Sequence, residues 1–272
     1  MLDLTILIVS HNTRTDLEAC LRSIDQSPPH VTHEVIVVDN ASRDGSVAAV
    51  RSRWPTVQVV ALDTNIGFAA ANNAGFRQAQ GDLVLLLNSD TLVLDGAIDQ
   101  LVHAIRELPG AAIVGPKLVD ERGIAELSFG RMMSPFAELR QKFLVRAGGR
   151  RIEDLTSAQD EVDWVSGACL LVRRTDAEAV GLLDERYFMY CEDVDFCAAV
   201  RARAGRVYFT PASRVVHLRG RSGAVDRPAT DLAYRRSHLA FYQKHHPRWA
   251  RILWLYLALR GKLTPSGTDN RG

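Results

Sequence analysis

At 272 residues and 47% hydrophobic, the chain can bury the core of one large domain or two small ones, and no apolar run approaches the ~20 residues needed to span a bilayer. Four scattered cysteines, Cys20, Cys169, Cys191 and Cys197, form no C-x-x-C pair, so neither a disulfide framework nor a structural zinc site is indicated. A net charge of +1 hides an asymmetry: residues 196–272 carry 15 Lys/Arg against 3 Asp/Glu, which suits an anionic partner.

The opening Met1-Leu2-Asp3-Leu4-Thr5 enters a strand and lacks the basic start of a signal peptide, so a cytoplasmic protein is expected. Leu4 to Val9 reads as a strand buried on both faces, ending in Ser10-His11-Asn12. Asp16 to Ile24 has Leu17, Leu21 and Ile24 at helical spacing, and Ser27-Pro28-Pro29 stops it. A second strand, Glu34 to Val38, runs into Asp39-Asn40-Ala41-Ser42-Arg43-Asp44-Gly45-Ser46, and a helix from Val47 to Trp54 is closed by Pro55. The third strand, Val57 to Ala61, leads to Asp63-Thr64-Asn65-Ile66-Gly67-Phe68. A small-residue helix, Ala69 to Ala79, then returns through Gly81 to a fourth strand, Leu83 to Leu87. Such alternation over about ninety residues predicts a parallel sheet with helices on both faces.

In such sheets, ligands bind outside the carboxyl ends of the strands. The fourth strand ends there in Asn88-Ser89-Asp90, where Asp90 is placed to hold a divalent cation and the cation a diphosphate; the same residues also make an ordinary turn. Asp39 can accept the imide N–H of a pyrimidine, Asp63 or Asn65 can reach base or ribose, and Gly67 permits close approach of a ligand. Three clusters in register beside Asp90 favour a ligand site over three unrelated loops. Neither G-x-G-x-x-G nor a P-loop is present.

Ala97 to Leu108 follows as a helix, and Ala112 to Val114 as a short strand closed by Gly115-Pro116. Residues 120–160, polar and weakly periodic, read as a variable excursion. Val162 to Arg174 reads as a strand with Trp164 near its start. Glu192, Asp193 and Asp195 then fall within four residues, beside Tyr187, Phe188, Tyr190 and Phe196. Acidic residues suit the first turn of a helix, whereas a carboxyl desolvated among aromatics suits general-base work. After a strand at Val207 to Thr210, His217 precedes Arg219-Gly220-Arg221-Ser222-Gly223, a loop able to wrap phosphate oxygens; the histidine is either structural or part of a metal or diphosphate site. Asp231 to Lys262 gives one or two helices, in which Ile252 to Leu259 is bracketed by Arg248, Arg251, Arg260 and Lys262. That stretch either packs on the domain or lies at a membrane interface. The tail after Thr264 is expected to be disordered.

In combination these motifs resemble an inverting family 2 glycosyltransferase of the GT-A fold, over nearly all of residues 3–245. Ser10-His11-Asn12, Val38-Asp39-Asn40-Ala41-Ser42-x-Asp44-Gly45-Ser46 and Asn65-x-Gly67-Phe68-Ala69-x-x-x-Asn73 are similar to the nucleotide-binding half. Asn88-Ser89-Asp90 stands at the D-x-D metal motif, with Asn88 in place of the first acid. Trp164-x-x-Gly167-Ala168 and Glu192-Asp193-x-Asp195 resemble the acceptor-side and catalytic-base motifs, and His217 matches a late histidine of the metal site in some members. The subgroup most resembled is the rhamnosyltransferase-like enzymes of bacterial polysaccharide assembly.

The resemblance implies a mixed, mostly parallel sheet flanked by helices in one large domain, residues 1–228, with a nucleotide-binding half (1–118) and an acceptor and catalytic half (119–228). A C-terminal amphipathic helical region (229–264) and a flexible tail (265–272) would follow. A dTDP- or UDP-sugar donor would contact Ser10, Asn12, Asp39, Asn40, Asp63, Asn65, Gly67, Asn88 and Ser89, with Mg²⁺ or Mn²⁺ at Asp90 and His217. A saccharide or polyprenyl-linked acceptor would meet Trp164, Gly167, Ala168, Glu192 and Asp195, with Asp193 as base. The C-terminal helix would hold the enzyme at the inner face of the plasma membrane. Two rivals fit less well. A sugar-nucleotide pyrophosphorylase needs a Gly-rich, basic loop that is missing after Val9, and a nucleic-acid module needs a reading motif that the C-terminal arginines do not form, so no nucleic-acid partner is expected.

Overall fold

The computed structural model describes residues 2–138, 149–218 and 227–260. The nucleotide-side elements are β1 (Leu4–Ser10), α1 (Arg14–Gln26), β2 (His33–Asp39), α2 (Ser46–Arg53), β3 (Gln58–Ala61), α3 (Phe68–Phe76) and β4 (Leu83–Asn88). β5 (Thr91–Val93), α4 (Ala97–Glu107), β6 (Ala111–Val119), β7 (Phe129–Gly130), α5 (Gly149–Leu155), β8 (Asp160–Val162), β9 (Trp164–Val165) and β10 (Cys169–Arg173) follow. The chain continues through α6 (Arg174–Ala179), α7 (Glu192–Ala202), β11 (Arg206–His217), α8 (Arg227–His245) and α9 (Pro247–Leu259).

Strand periodicity explains the layers. Side chains alternate across a strand, so Ile6, Ile8, Leu85 and Leu87 pack with α1 and α4 on one face, while Leu7, Val9, Val84 and Leu86 pack with α3 and α7 on the other. Burial on both sides is why these strands read as unbroken apolar runs. A third cluster, Tyr187, Cys191, Val194, Phe241, Tyr242 and Ala250, joins the approach to α7 with α8 and α9. Among the described residues no helix is long and apolar enough to cross a membrane.

The main sheet runs β3-β2-β1-β4-β10-β6-β11-β5, with β8 on β11. β1 to β4 are parallel, as expected. β10 is inserted antiparallel between β4 and β6, which places Cys169 opposite Leu87. β6 and β11 again run with β4, and His217 pairs with Thr91 of β5. This topology gathers the ends of β1, β2 and β4, the start of β10 and the end of β11 on one edge.

Three expectations are corrected. The single strand over Val162 to Arg174 is three short strands serving different partners: β8 pairs with β11, β9 with β7, and β10 with β4, and α6 begins at Arg174. Pro116 does not close the strand at 112–114. It lies opposite Thr210, next to the irregularity between Thr210 and Arg214, where a missing N–H costs no ladder bond, and β6 continues to Val119. The region 120–160 contains β7 and α5. The Arg219–Gly223 loop, Lys262 and the tail lie outside the described residues.

Candidate active site

The donor-side loops are held by one another. Ser10 Oγ bonds Thr13 Oγ1 at 3.0 Å, and Thr13 Oγ1 bonds Ser89 Oγ at 2.9 Å, a buried hydroxyl chain joining the ends of β1 and β4. Asn40 donates Nδ2 to Asn65 Oδ1 (2.9 Å) and to the Gly67 carbonyl (3.2 Å), and accepts the Ile66 N–H at 2.9 Å. Asn12 accepts the Arg43 N–H at 2.8 Å and donates its own N–H to Ser42 Oγ at 2.9 Å. Of the expected donor ligands, therefore, Ser10, Ser89, Asn40, Asn65 and Asn12 spend side-chain groups on loop architecture. Asp63 is exposed beside them. Thr13, the middle of the hydroxyl chain, was not singled out from sequence; only its place just after Ser10-His11-Asn12 hinted at it.

Two buried oxygens at this edge have no hydrogen-bond partner among the described residues: Asp39 Oδ1 and Asn88 Oδ1. The other Asp39 oxygen takes the Ser42 N–H at 2.9 Å, which fixes the carboxylate. A buried acceptor left open costs stability unless something fills it.

Asp90 and His217 meet as their register requires. The Leu218 N–H donates to the Asp90 carbonyl at 2.8 Å, and His217 Nε2 lies 3.5 Å from Asp90 Oδ1. Neighbouring ligands of an octahedral ion at ~2.1 Å are separated by roughly 3 Å, so these two atoms suit a shared cation. The opposite ring nitrogen, Nδ1, lies 3.6 Å from Glu126 Oε2. Glu126 was missed from sequence, although Asp120-Glu121-Arg122-Gly123 signals the turn that brings it back: the Glu126 N–H donates to the Leu118 carbonyl at 2.9 Å. No group of three or more His, Cys, Asp or Glu with metal-holding geometry occurs among the described residues. The Asp90 carboxylate and the His217 imidazole, with the open Asn88 amide oxygen at the same strand end, are groups that could serve Mg²⁺ or Mn²⁺ only if the substrate supplied further oxygens.

Asp193 stands across a two-residue bridge from this edge. The Asn88 N–H donates to the Ala168 carbonyl at 2.9 Å, and the Gly167 N–H donates to Asp193 Oδ2 at 2.9 Å. A Cβ on Gly167 would come 3.2 Å from that of Asp193, so a side chain there would press on Asp193 and shift it by a few tenths of an ångström. Asp193 Oδ1 takes the Val194 N–H at 2.8 Å. Burial raises its pKa, and the two backbone N–H groups oppose that rise. Glu192 is more deeply buried, and burial together with the Asp193 charge pushes its carboxyl well above the usual range. Both adjacent carboxyls are therefore pushed up, Glu192 the more strongly, because backbone N–H groups hold the Asp193 carboxylate and oppose the rise there.

The remaining expected acceptor residues are structural in their contacts. Trp164 lays its ring on Gly130 and donates its indole N–H to the Arg131 carbonyl at 2.9 Å, which fixes the ring at the wall of the site. Asp195, 2% exposed, takes Lys244 Nζ at 2.8 Å, His245 Nε2 at 2.6 Å and the Tyr187 hydroxyl at 3.2 Å, clamping α7 to α8 instead of facing an acceptor. The donor loop and the approach to α7 also touch. The Phe68 N–H donates to the Phe188 carbonyl at 2.6 Å, and any Cβ on Gly67 (φ 88°) would lie 2.6 Å from that oxygen.

The chain is similar to known proteins. The chain is 30% identical over 290 residues to an N-acetylglucosaminyl-diphospho-decaprenol L-rhamnosyltransferase of Mycobacterium tuberculosis, covering 96% of this chain and 90% of that one. It is 25% identical over 224 residues to the rhamnosyltransferase WbbL of Escherichia coli, covering 78% and 82%. A mannosyltransferase of Pyrobaculum calidifontis, solved with GDP-Man and Mn²⁺, superimposes with a TM-score of 0.64 at 19% identity over 93% of this chain and 70% of that one, a likeness of fold. The model of glycosyl transferase family 2 matches residues 5–180, and the chain belongs to that family of glycosyltransferases.

Proposed function

We propose that the protein transfers rhamnose from a dTDP- or UDP-linked donor, with inversion, to a hydroxyl of a lipid-linked saccharide. The names of the relatives from M. tuberculosis and E. coli support the sugar and the lipid-linked acceptor. The observation that carries the mechanism is the bridge from Asn88 through Ala168 and Gly167 to Asp193, which sets one partly buried carboxylate beside the donor edge.

Asp39 accepts the imide N–H of the base through its open Oδ1. Asn88, Asp90 and His217 would hold a divalent cation, which would supply positive charge opposite the leaving diphosphate. Asp193 takes the proton of the acceptor hydroxyl as its oxygen bonds to the anomeric carbon, while the bond from that carbon to the diphosphate oxygen breaks. Burial pushes the Glu192 carboxyl toward its neutral form, which lessens negative charge near the donor.

The test is a transfer assay with dTDP-rhamnose, UDP-sugars and GDP-mannose, with Mn²⁺, onto N-acetylglucosaminyl diphosphate carrying a short alkyl chain. Rhamnosylation with inverted anomeric configuration is expected; a retained configuration, or transfer from none of the dTDP- and UDP-sugars, overturns the reading.

The C-terminal region contributes membrane contact. In α9 the side chains of Ile252, Trp254, Leu255, Tyr256 and Leu259 are exposed, and only Ala250 and Leu257 are buried. Arg248, Arg251 and Arg260 flank them. An apolar face edged by bases suits an anionic bilayer surface, each base contributing ~1 kcal/mol. Replacing Arg248, Arg251, Arg260 and Lys262 together by Ala is expected to abolish flotation with vesicles containing phosphatidylglycerol; undiminished flotation contradicts it.

A further inference from the structure

Tyr190 and Tyr234 come from the loop that enters α7 and from α8. Their ring centroids lie 5.6 Å apart at 75°, and both residues stay open, 38% and 46% exposed. No step assigned above uses either ring. Tyr190 stands three residues before Asp193 in a left-handed backbone conformation (φ 71°), followed by Cys191 at φ 68°. Non-glycine residues hold such conformations only where their surroundings impose them. Burial raises the Tyr190 phenol pKa, and the charges of Glu192, Asp231 and Asp90 add to that rise.

Tyr234 is fixed from below. The His238 ring stacks on it at 5.7 Å and 21°, and His238 Nε2 (2.9 Å) and the Tyr242 hydroxyl (2.6 Å) both reach Glu138 Oε1. Ser237 Oγ donates to the Met189 carbonyl at 2.7 Å, tying α8 to the loop that carries Tyr190. Rings oriented in advance lose little freedom when a ligand covers them. Their electron-rich faces attract the partly positive C–H edge of a sugar ring, and the phenol hydroxyls remain available to sugar hydroxyls.

We propose that Tyr190 and Tyr234 form a stacking platform for a sugar ring of the acceptor, holding its hydroxyl toward Asp193; this rests on the glycosyl-transfer reading above. An alternative source of a sugar ring is the donor, and the experiment separates the two.

Tyr234→Ala, Tyr234→Leu and Tyr234→Phe are compared with wild type for acceptor KM, using the short-chain N-acetylglucosaminyl diphosphate, and for donor Kd by calorimetry with Mn²⁺. Loss of the ring in the Ala and Leu variants is expected to raise acceptor KM about three- to tenfold, with the Phe variant near wild type and donor Kd unchanged in all three. Unchanged acceptor KM in Tyr234→Ala, or weakened donor binding instead, overturns the platform. If wild type fails to glycosylate this probe, the acceptor assignment has failed rather than the platform. The same variants are then compared by saturation-transfer NMR with a panel of methyl glycosides, in the presence of dTDP and Mn²⁺. Signals in wild type that drop in Tyr234→Ala and Tyr234→Leu but not in Tyr234→Phe support the platform; equal signals throughout, or none in wild type, overturn it.

Discussion

At the ends of β1 to β4, polar side chains bond chiefly to neighbouring loops of the same half, leaving Asp39 Oδ1 and Asn88 Oδ1 open. Around Asp193 the partners come from far along the chain: Gly167 on one side, and on the other α8, which grips Asp195 through Lys244 and His245. The donor edge is a mould whose shape is set locally. The catalytic wall keeps its shape only while a C-terminal helix stays docked. Changes at the donor edge should therefore appear in affinity, and changes at the wall in turnover and stability.

The largest effect is expected at Asp193. Asp193→Asn keeps size and can still accept the Gly167 N–H, but it cannot take a proton, and general-base loss costs ~10²–10⁴-fold. Single-turnover transfer should fall by that factor while donor Kd stays near wild type. Asp90→Ala and His217→Ala come next. Each is expected to weaken Mn²⁺-supported donor binding by about a hundredfold, the upper end of what losing one supporting group costs a metal site. Calorimetry in Mn²⁺ and in EDTA reads this directly, and an unaltered metal dependence would reassign the site.

Two stability measurements sharpen the contrast. Asp195→Asn loosens the clamp on α8. Because Lys244 and His245 are about a third and a quarter exposed, the cost should be about 2 kcal/mol, below the ~3–5 kcal/mol of a fully buried pair. Thr13→Ala breaks the Ser10–Thr13–Ser89 chain and should cost about 1 kcal/mol. Urea unfolding at neutral pH compares them, and a Thr13 variant that loses more than the Asp195 variant would reverse the two regions.

The alternation of strands and helices, and Asp39, Asn88 and Asp90 at strand ends, were legible because periodicity and strand-end polarity are local properties of sequence. The insertion of β10 was not, since βα alternation fixes neither the order of later strands nor their direction. Nor could the sequence separate Asp39, with an oxygen left open, from Asn40, whose groups are all spent on the Asn65–Gly67 loop: both are small polar residues after the same strand. Trp164 and Asp195 were taken for acceptor residues because their partners, Arg131 and the Lys244–His245 pair, lie 33 to 50 residues away. Glu126 and Tyr234 acquire neighbours only through the tertiary fold.

The central claim is that Asp193 takes the acceptor proton, beside a Glu192 whose carboxyl burial pushes more strongly toward neutral. A base with a raised pKa is active above that pKa and lost as pH falls through it, so transfer should decline on an acid limb above the ordinary aspartate range. The decisive measurement is the pH profile of single-turnover transfer in wild type and Glu192→Gln. Replacing a neutral acid by a neutral amide should leave both the rate at pH 8 and the acid limb nearly unchanged. A Glu192→Gln enzyme as inactive as Asp193→Asn, or one whose acid limb disappears, would move the base to Glu192 and contradict the account.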